Sequence, residues 1–235
     1  HWRVHSASTA DNPASKLYAY EAGKKAIEGN LARCGEEGTV TLRSDYGFYD
    51  VDYKLRGTPL VSILIPNKDQ ADTLRTCLES IKKKCMYPSY EILIIENNST
   101  EEATFSYYKE LEAQGIRVLK YPKQGFNYSA INNFGVKEAK GEYLLFLNND
   151  MEIITPDFIE KMVSNLQRPQ IGAVGAKLYY PDNTVQHAGI IIGIGGIAGL
   201  AFLGLARGRS GYLHKASLQM NVSAVTAACM MMKKE

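Results

Sequence analysis

The sequence predicts an α/β fold built on a mainly parallel sheet with helices on both faces. Three observations carry this. The continuous apolar runs LVSILI (60–65), EILII (91–95) and YLLFL (143–147) have strand length and suit strands buried on both faces. Between them lie segments of helical spacing, such as Ala71, Leu74, Leu78 and Ile81. Each run also ends abruptly in short polar or acidic residues, and open α/β sheets bind ligands at that C-terminal edge.

Taken in order, residues 14–33 read as an amphipathic helix with Leu17, Tyr20, Ala26 and Leu31 on its apolar stripe and Gly35 as its stop. TVTLR and YDVDYKL, within 38–54, read as two short strands. Gly57-Thr58-Pro59 is a break, so residues 1–57 form an appendage and residues 58–235 the main domain. The main domain continues with a strand at 60–65, a helix at 70–84 and a strand at 91–96. Ser99 and Glu102 form a capping box for a helix to Ala113, stopped by Gly115. A strand at 116–120, a helix at 129–139 and a strand at 143–147 follow. Thr155 and Pro156 read as N-cap and first residue of a helix to Leu166. GAVGAKLYY (172–180) and VQHAGIIIG (185–193) flank Pro181-Asp182-Asn183-Thr184 as a hairpin, which makes the second half mixed. Asp182 is read as a turn residue.

The 235 residues, 45% apolar, suffice for one substantial core with an appendage. The net charge of +2 is scattered apart from Lys82, Lys83 and Lys84, which argues against a nucleic-acid partner. Cys34, Cys77, Cys85 and Cys229 lack ligand spacing and read as buried free thiols of a reducing compartment. HWRVHSASTADN has no apolar leader segment and no initiator Met, so a piece of a longer protein is expected. Residues 188–206 are uncharged for a membrane-spanning length, but six of these 19 are glycine, which favours turns of a water-facing enzyme over a transmembrane helix.

The chemistry gathers where the strands end. Pro66-Asn67-Lys68-Asp69, Glu96-Asn97-Asn98-Ser99-Thr100 and Asn148-Asn149-Asp150 follow the three apolar runs. One such cluster is ordinarily a cap or a turn. Three on one sheet edge suit a single ligand lying across them. Asn148 and Asp150 offer oxygen, the ligand type of Mg²⁺ and Mn²⁺, and a cation with few protein ligands commonly holds substrate phosphates too. A metal-assisted nucleotide site is therefore expected. Glu96 is the candidate for a base N–H or ribose hydroxyl, against the alternative of a helix N-terminal charge. Gly125 precedes a helix carrying Asn127, Ser129, Asn132 and Asn133 in its first turns, more Asn than a purely structural helix favours.

The ordered set VSILIPNKD, EILIIENNS, GFNYSAINNFG and GEYLLFLNND resembles the family-2 glycosyltransferases of GT-A fold, in the bacterial branch that builds rhamnose-containing and related surface polysaccharides. The resemblance covers about residues 58–235. It implies a nucleotide-sugar donor (a UDP- or dTDP-sugar), a divalent metal, a glycan or lipid-linked acceptor and inversion at the anomeric carbon. It assigns nucleotide contacts to Pro66, Asn67, Asp69, Glu96, Asn98, Asn132, Asn133 and Asn149. Glu96 stands where relatives usually have Asp, and Asn132-Asn133 where they often have Arg-Asn. Asn148-Asn149-Asp150 matches the metal-binding DxD motif with Asn for the first Asp, which makes Asp150 the principal ligand and Asn148 its assistant. The family's general base lies in an acidic cluster after a Gly-Gly-Phe-Asp-like segment. The chain ends at Glu235 before that region, so the base is expected beyond it, leaving a piece that binds donor but transfers slowly. Gln186-His187-Ala188-Gly189 also matches the branch. His187 is thus a candidate to face donor sugar or acceptor, against a satisfied core histidine. A cytoplasmic location, compatible with peripheral association at the inner membrane face, goes with this reading.

Three rival readings stand beside this one. Gly193-Ile194-Gly195-Gly196-Ile197-Ala198 fits a dinucleotide fingerprint, but no Asp or Glu occurs from 183 to 234 to hold the ribose. A nucleotidyltransferase would be expected to carry a Gly-rich basic loop after the first strand, and IPNKDQ has no glycine. A non-catalytic nucleotide-sugar or glycan-binding module remains the alternative to the enzyme.

Overall fold

The computed structural model describes His5 and residues 12–235. Most of the stretch 1–12, and with it the expectation about a leader segment, lies outside the described residues. By contact the chain groups into two compact units, residues 1–54 with 208–221 and residues 55–207 with 222–235.

In the first unit a 3-10 turn at Pro13–Lys16 leads into α1 (Leu17–Arg33), followed by the antiparallel pair β1 (Gly38–Leu42) and β2 (Tyr49–Tyr53). Of the stripe expected on α1, only Leu31 is buried and Tyr20 partly so, while Leu17 and Ala26 face solvent. The face is instead filled by Gly23 and Ile27, and Tyr49 donates its hydroxyl to the Tyr20 carbonyl at 2.8 Å. Segment 208–221 is held to the β1–β2 turn. Asp45 lies 3.0 Å from His214, Phe48 packs its ring on that imidazole, and Arg43 donates to the Ser217 carbonyl.

The second unit runs β3 (Val61–Asn67), α2 (Ala71–Lys84), β4 (Tyr90–Glu96), α3 (Glu102–Ala113), β5 (Arg117–Lys120), α4 (Tyr128–Glu138), β6 (Tyr143–Leu147) and α5 (Phe158–Leu166). It continues with β7 (Ala173–Gly175), β8 (Leu178–Tyr179), β9 (Val185–His187), β10 (Ile190–Ile192), β11 (Ala198–Leu200) and β12 (Cys229–Lys233). The central sheet has the order β5-β4-β3-β6-β12-β7. Its first four strands are parallel, whereas β12 runs antiparallel to both neighbours.

The apolar runs divide between the two faces with the period of two that a strand imposes. Val61, Ile63, Ile65, Ile92, Ile94, Leu145 and Leu147 enter one core with Leu74, Leu78 and Ile81 of α2 and Ile159 of α5. Leu64, Leu93, Ile95, Leu144 and Phe146 enter a second core with Ile131 of α4. Each fully buried Ile or Leu contributes about 1.5–3 kcal/mol, enough in sum to lock the register and hold the strand ends level.

Several local expectations are corrected. The Ser99–Glu102 capping box does not form: the N-cap of α3 is Glu101, without a side-chain cap. Helix α5 starts later than Thr155-Pro156, with Asp157 as N-cap, because the Pro156 carbonyl accepts Met86 N–H instead of a helical one. Residues 172–180 split in two. Ala176 N–H bonds the Cys229 carbonyl, so β7 joins the central sheet and only β8 pairs with β9. The turn between them is the one expected, with Asp182 accepting from Thr184 N–H at 2.9 Å. Cys34 is exposed and Cys85 half-buried rather than buried, though all four thiols are free. Residues 193–197 lie between β10 and β11 of an antiparallel pair, not between a strand and a helix, which removes the dinucleotide reading. Among the described residues no helix is long and apolar enough to cross a membrane.

Candidate active site

Three strand ends are laced into one network at the C-terminal edge. Parallel pairing puts Asn67 of β3 level with Glu96 of β4. Asn67 is 2% exposed. Its Oδ1 accepts from Asn149 Nδ2 at 2.6 Å, and its Nδ2 donates to the Tyr108 hydroxyl at 2.7 Å and the Asp69 carbonyl at 2.9 Å. Its own carbonyl takes Asn97 N–H. One buried amide thus ties β3 to the ends of β4 and β6 and to α3.

Asp69 ties the same loops a second time. Its Oδ1 accepts Thr100 N–H at 2.7 Å and Glu101 N–H at 2.9 Å, and its own N–H donates to Ser99 Oγ. Asp69 thus fixes the two residues that lead into α3. The bonds from Glu101 and Thr100 hold the Asp69 carboxyl below its ordinary pKa. Asp69 and Gln70 both have left-handed backbones, at φ 52° and 58°, as does Asn98 at 60°. Non-glycine residues persist there only when their surroundings fix them, and such positions cluster at functional sites.

Glu96 is buried, and one carboxylate oxygen accepts Ser99 N–H at 2.5 Å, closing the β4–α3 turn. Asn98 donates to Asn97 Oδ1 and to the Lys123 carbonyl, which draws the loop before α4 toward the same edge. Pro66 lies in β3 opposite Ile95. These residues, with Asn148-Asn149-Asp150, share one sheet edge.

Helix α4 meets the set differently. Asn127 caps it through Ala130 N–H. Asn132 and Asn133 sit in its second turn. Asn133 is exposed, whereas Asn132 is 4% exposed and spends its Nδ2 on the Tyr128 carbonyl. Asn132 Oδ1 is buried without a partner among the described residues.

Asp150 is exposed and Asn148 partly buried at the end of β6. Among the described residues no group of three or more His, Cys, Asp or Glu could enclose a cation. One carboxylate beside a neutral amide instead fits Mg²⁺ or Mn²⁺ that keeps water and phosphate oxygens as its other ligands.

Some of the site was not foreseen. Tyr108 joins Asn67 to Ser99 from the buried face of α3, and burial raises its pKa. Only its place in a Tyr107-Tyr108 doublet marks it in the sequence. Thr226, Ala227 and Ala228 border the β6 end. The Ala228 carbonyl takes Asn148 N–H at 2.9 Å, and the Ala227 carbonyl takes the Tyr128 hydroxyl at 3.1 Å. No side-chain chemistry announces such backbone contacts.

Residues 62–235 match the glycosyl transferase family 2 model, and the chain belongs to that family. Its central sheet with flanking helices is the α/β architecture expected of the GT-A type. The whole chain is 42% identical to the uncharacterized protein y4gI of Sinorhizobium fredii and 42% identical to the O-antigen biosynthesis protein RfbC of Myxococcus xanthus. It spans 26% and 18% of their lengths. Among solved structures it is similar to the mannosyltransferase PcManGT of Pyrobaculum calidifontis in complex with GDP-Man and Mn²⁺, at 17% identity and a TM-score of 0.47 over 72% of this chain and 46% of that one.

Proposed function

We propose that this chain forms the donor-binding part of an inverting glycosyltransferase, which moves a sugar from a UDP- or dTDP-sugar to a glycan or lipid-linked acceptor in bacterial surface-polysaccharide synthesis. The RfbC relative's name supports the polysaccharide context. The observation that carries the reading is the joining of three strand ends through Asn67, Asn149 and Asp69, with exposed Asp150 beside them.

In this reading the nucleoside lies across the ends of β3 and β4, against Pro66, Asn67, Asp69, Glu96 and Asn98. Asn132, Asn133 and Asn149 line the same site. The diphosphate lies toward Asn148 and Asp150, which would hold a divalent cation with it. When bound, that cation supplies neutralisation of the charge that grows on the departing nucleoside diphosphate. The hydrogen-bonded loops keep their dipoles fixed, so little reorganisation is needed as that charge develops. The acceptor hydroxyl attacks from the opposite face of the sugar and gives its proton to a base not assigned among these residues. The site would work at the cytoplasmic face of the membrane.

The test is a thermal-shift screen of UDP-, dTDP- and GDP-sugars with and without Mn²⁺, since a ligand of the folded state raises the melting temperature. Stabilisation by one nucleotide class, larger with Mn²⁺, is expected. No shift with any of them would overturn the reading.

A further inference from the structure

His187 is 2% exposed at the end of β9 and belongs to none of the three polar clusters that follow β3, β4 and β6. Its Nε2 accepts Thr226 N–H at 3.3 Å. Burial pushes the imidazole pKa down, and a ring nitrogen that accepts an N–H is unprotonated. With Nε2 accepting, the proton resides on Nδ1, and Nδ1 is buried without a partner among the described residues.

The segment that His187 holds is clasped along its length. A Cβ on Gly189 would lie 2.6 Å from the Val222 side chain, and one on Gly175 would lie 2.5 Å from that of Val225. Ile190 N–H bonds the Ala224 carbonyl. Next come Thr226 on His187, Ala227 on the Tyr128 hydroxyl and Ala228 on Asn148 N–H. Thr226 Oγ1 also lies 3.4 Å from Ala228 N, which stiffens the last step. Residues 222–228 are thus a strap between β9 and the end of β6. Besides Cys229 and β12, which carry the strap into the central sheet, two side chains anchor it beside Asn148: the Tyr128 hydroxyl on Ala227 and His187 on Thr226.

We propose that His187 is a positioning residue: through Nε2 it fixes Thr226, and through the strap it sets the backbone of Asn148 and hence the Asn148–Asp150 metal and diphosphate end. This rests on the donor-site reading above. It makes no claim on the reacting atoms, and it goes beyond the expectation that His187 faces a sugar. Among the described residues no hydrogen bond joins the strap to β3 or β4, the strands assigned to the nucleoside.

The two ring nitrogens can be separated by substitution. In Gln the side-chain amide reaches about as far as Nε2, and in Asn about as far as Nδ1. The measurement is the affinity of UDP and dTDP by calorimetry, with and without Mn²⁺, in wild type, His187→Phe, His187→Gln and His187→Asn. The ratio of the two affinities is the metal–nucleotide coupling. His187→Phe and His187→Asn are expected to lower it by about fivefold or more, within the usual range of such couplings, with metal-free affinity little changed. His187→Gln is expected to restore it. Amide exchange at Thr226 and Asn148 should quicken in the Phe variant and recover in the Gln variant, a readout that needs no metal.

Coupling unchanged in His187→Phe would overturn the proposal. So would retention by His187→Asn with loss in His187→Gln, since Nδ1 would then be the working atom. A melting temperature lowered equally in all three, with coupling intact, reduces His187 to a core residue. Absence of coupling in wild type itself would strike the donor-site reading first, and the exchange data would still decide whether His187 holds the strap.

Discussion

Asn149 donates its side-chain amide to Asn67 Oδ1 at 2.6 Å, joining the ends of two adjacent parallel strands at the edge where the DxD-like segment emerges. The bond turns Asn149 inward, and Asn148 and Asp150 flank it on either side. The middle residue of Asn148-Asn149-Asp150 is therefore an anchor for its neighbours.

Replacing Asn67 by Ala removes the acceptor of the Asn149 amide and the donor to the Tyr108 hydroxyl, which keeps only its longer contact with Ser99 Oγ at 3.4 Å. An unsatisfied buried polar group costs about 1–3 kcal/mol. Urea unfolding of Asn67→Ala should fall in that range below wild type, and nucleotide affinity should weaken as well. A variant of unchanged stability would show that the three loops hold their places without this link.

Asp69 predicts a pH signature. Its folded-state pKa is depressed, first by the bond from Glu101 N–H and then by that from Thr100. The stabilisation is present above the unfolded carboxyl's value, roughly pH 4, and is lost as pH falls through the lower folded value. Asp69→Asn should be less stable than wild type at pH 6–7, with the gap closing below about pH 4. A gap that stays constant or widens in acid contradicts the hold of Asp69 on the turn before α3.

Gly141 tests how tightly the sheet is packed behind the site. A Cβ there would lie 2.6 Å from Ser62 N and 2.7 Å from the Leu60 carbonyl, backbone atoms that cannot rotate away. Gly141→Ala should destabilise by about 1–3 kcal/mol, as overpacking does, in a denaturant titration. Gly115→Ala, with open space but a left-handed backbone, should be hurt by strain rather than collision.

The parallel half of the sheet was readable because β3, β4 and β6 are buried on both faces, so their sequences become unbroken apolar runs. The clustering of polar residues at their ends was readable for the same reason, since it marks where burial stops. Strand β12 was not. CMMMK has no β-branched residue and little preference for a strand, and its place between β6 and β7 is set by long-range pairing. The Ser99–Glu102 box fails because Glu96 takes Ser99 N–H and the Asp69 carboxylate takes the N–H groups of Thr100 and Glu101. Glu96 and Asp69 show the same limit within the site. Their residue types suggested ligands, but which N–H groups they meet depends on how two loops fold against each other.

The central claim is that Asp150 holds a divalent cation together with the donor diphosphate at the end of β6. The direct measurement is a calorimetric titration of UDP or dTDP, with and without Mn²⁺, into wild type and Asp150→Ala. The account predicts that Mn²⁺ tightens nucleotide binding in wild type, that nucleotide tightens Mn²⁺ by the same factor, and that both effects vanish in Asp150→Ala. Nucleotide binding by wild type that ignores Mn²⁺, or a metal dependence that survives the substitution, would contradict it.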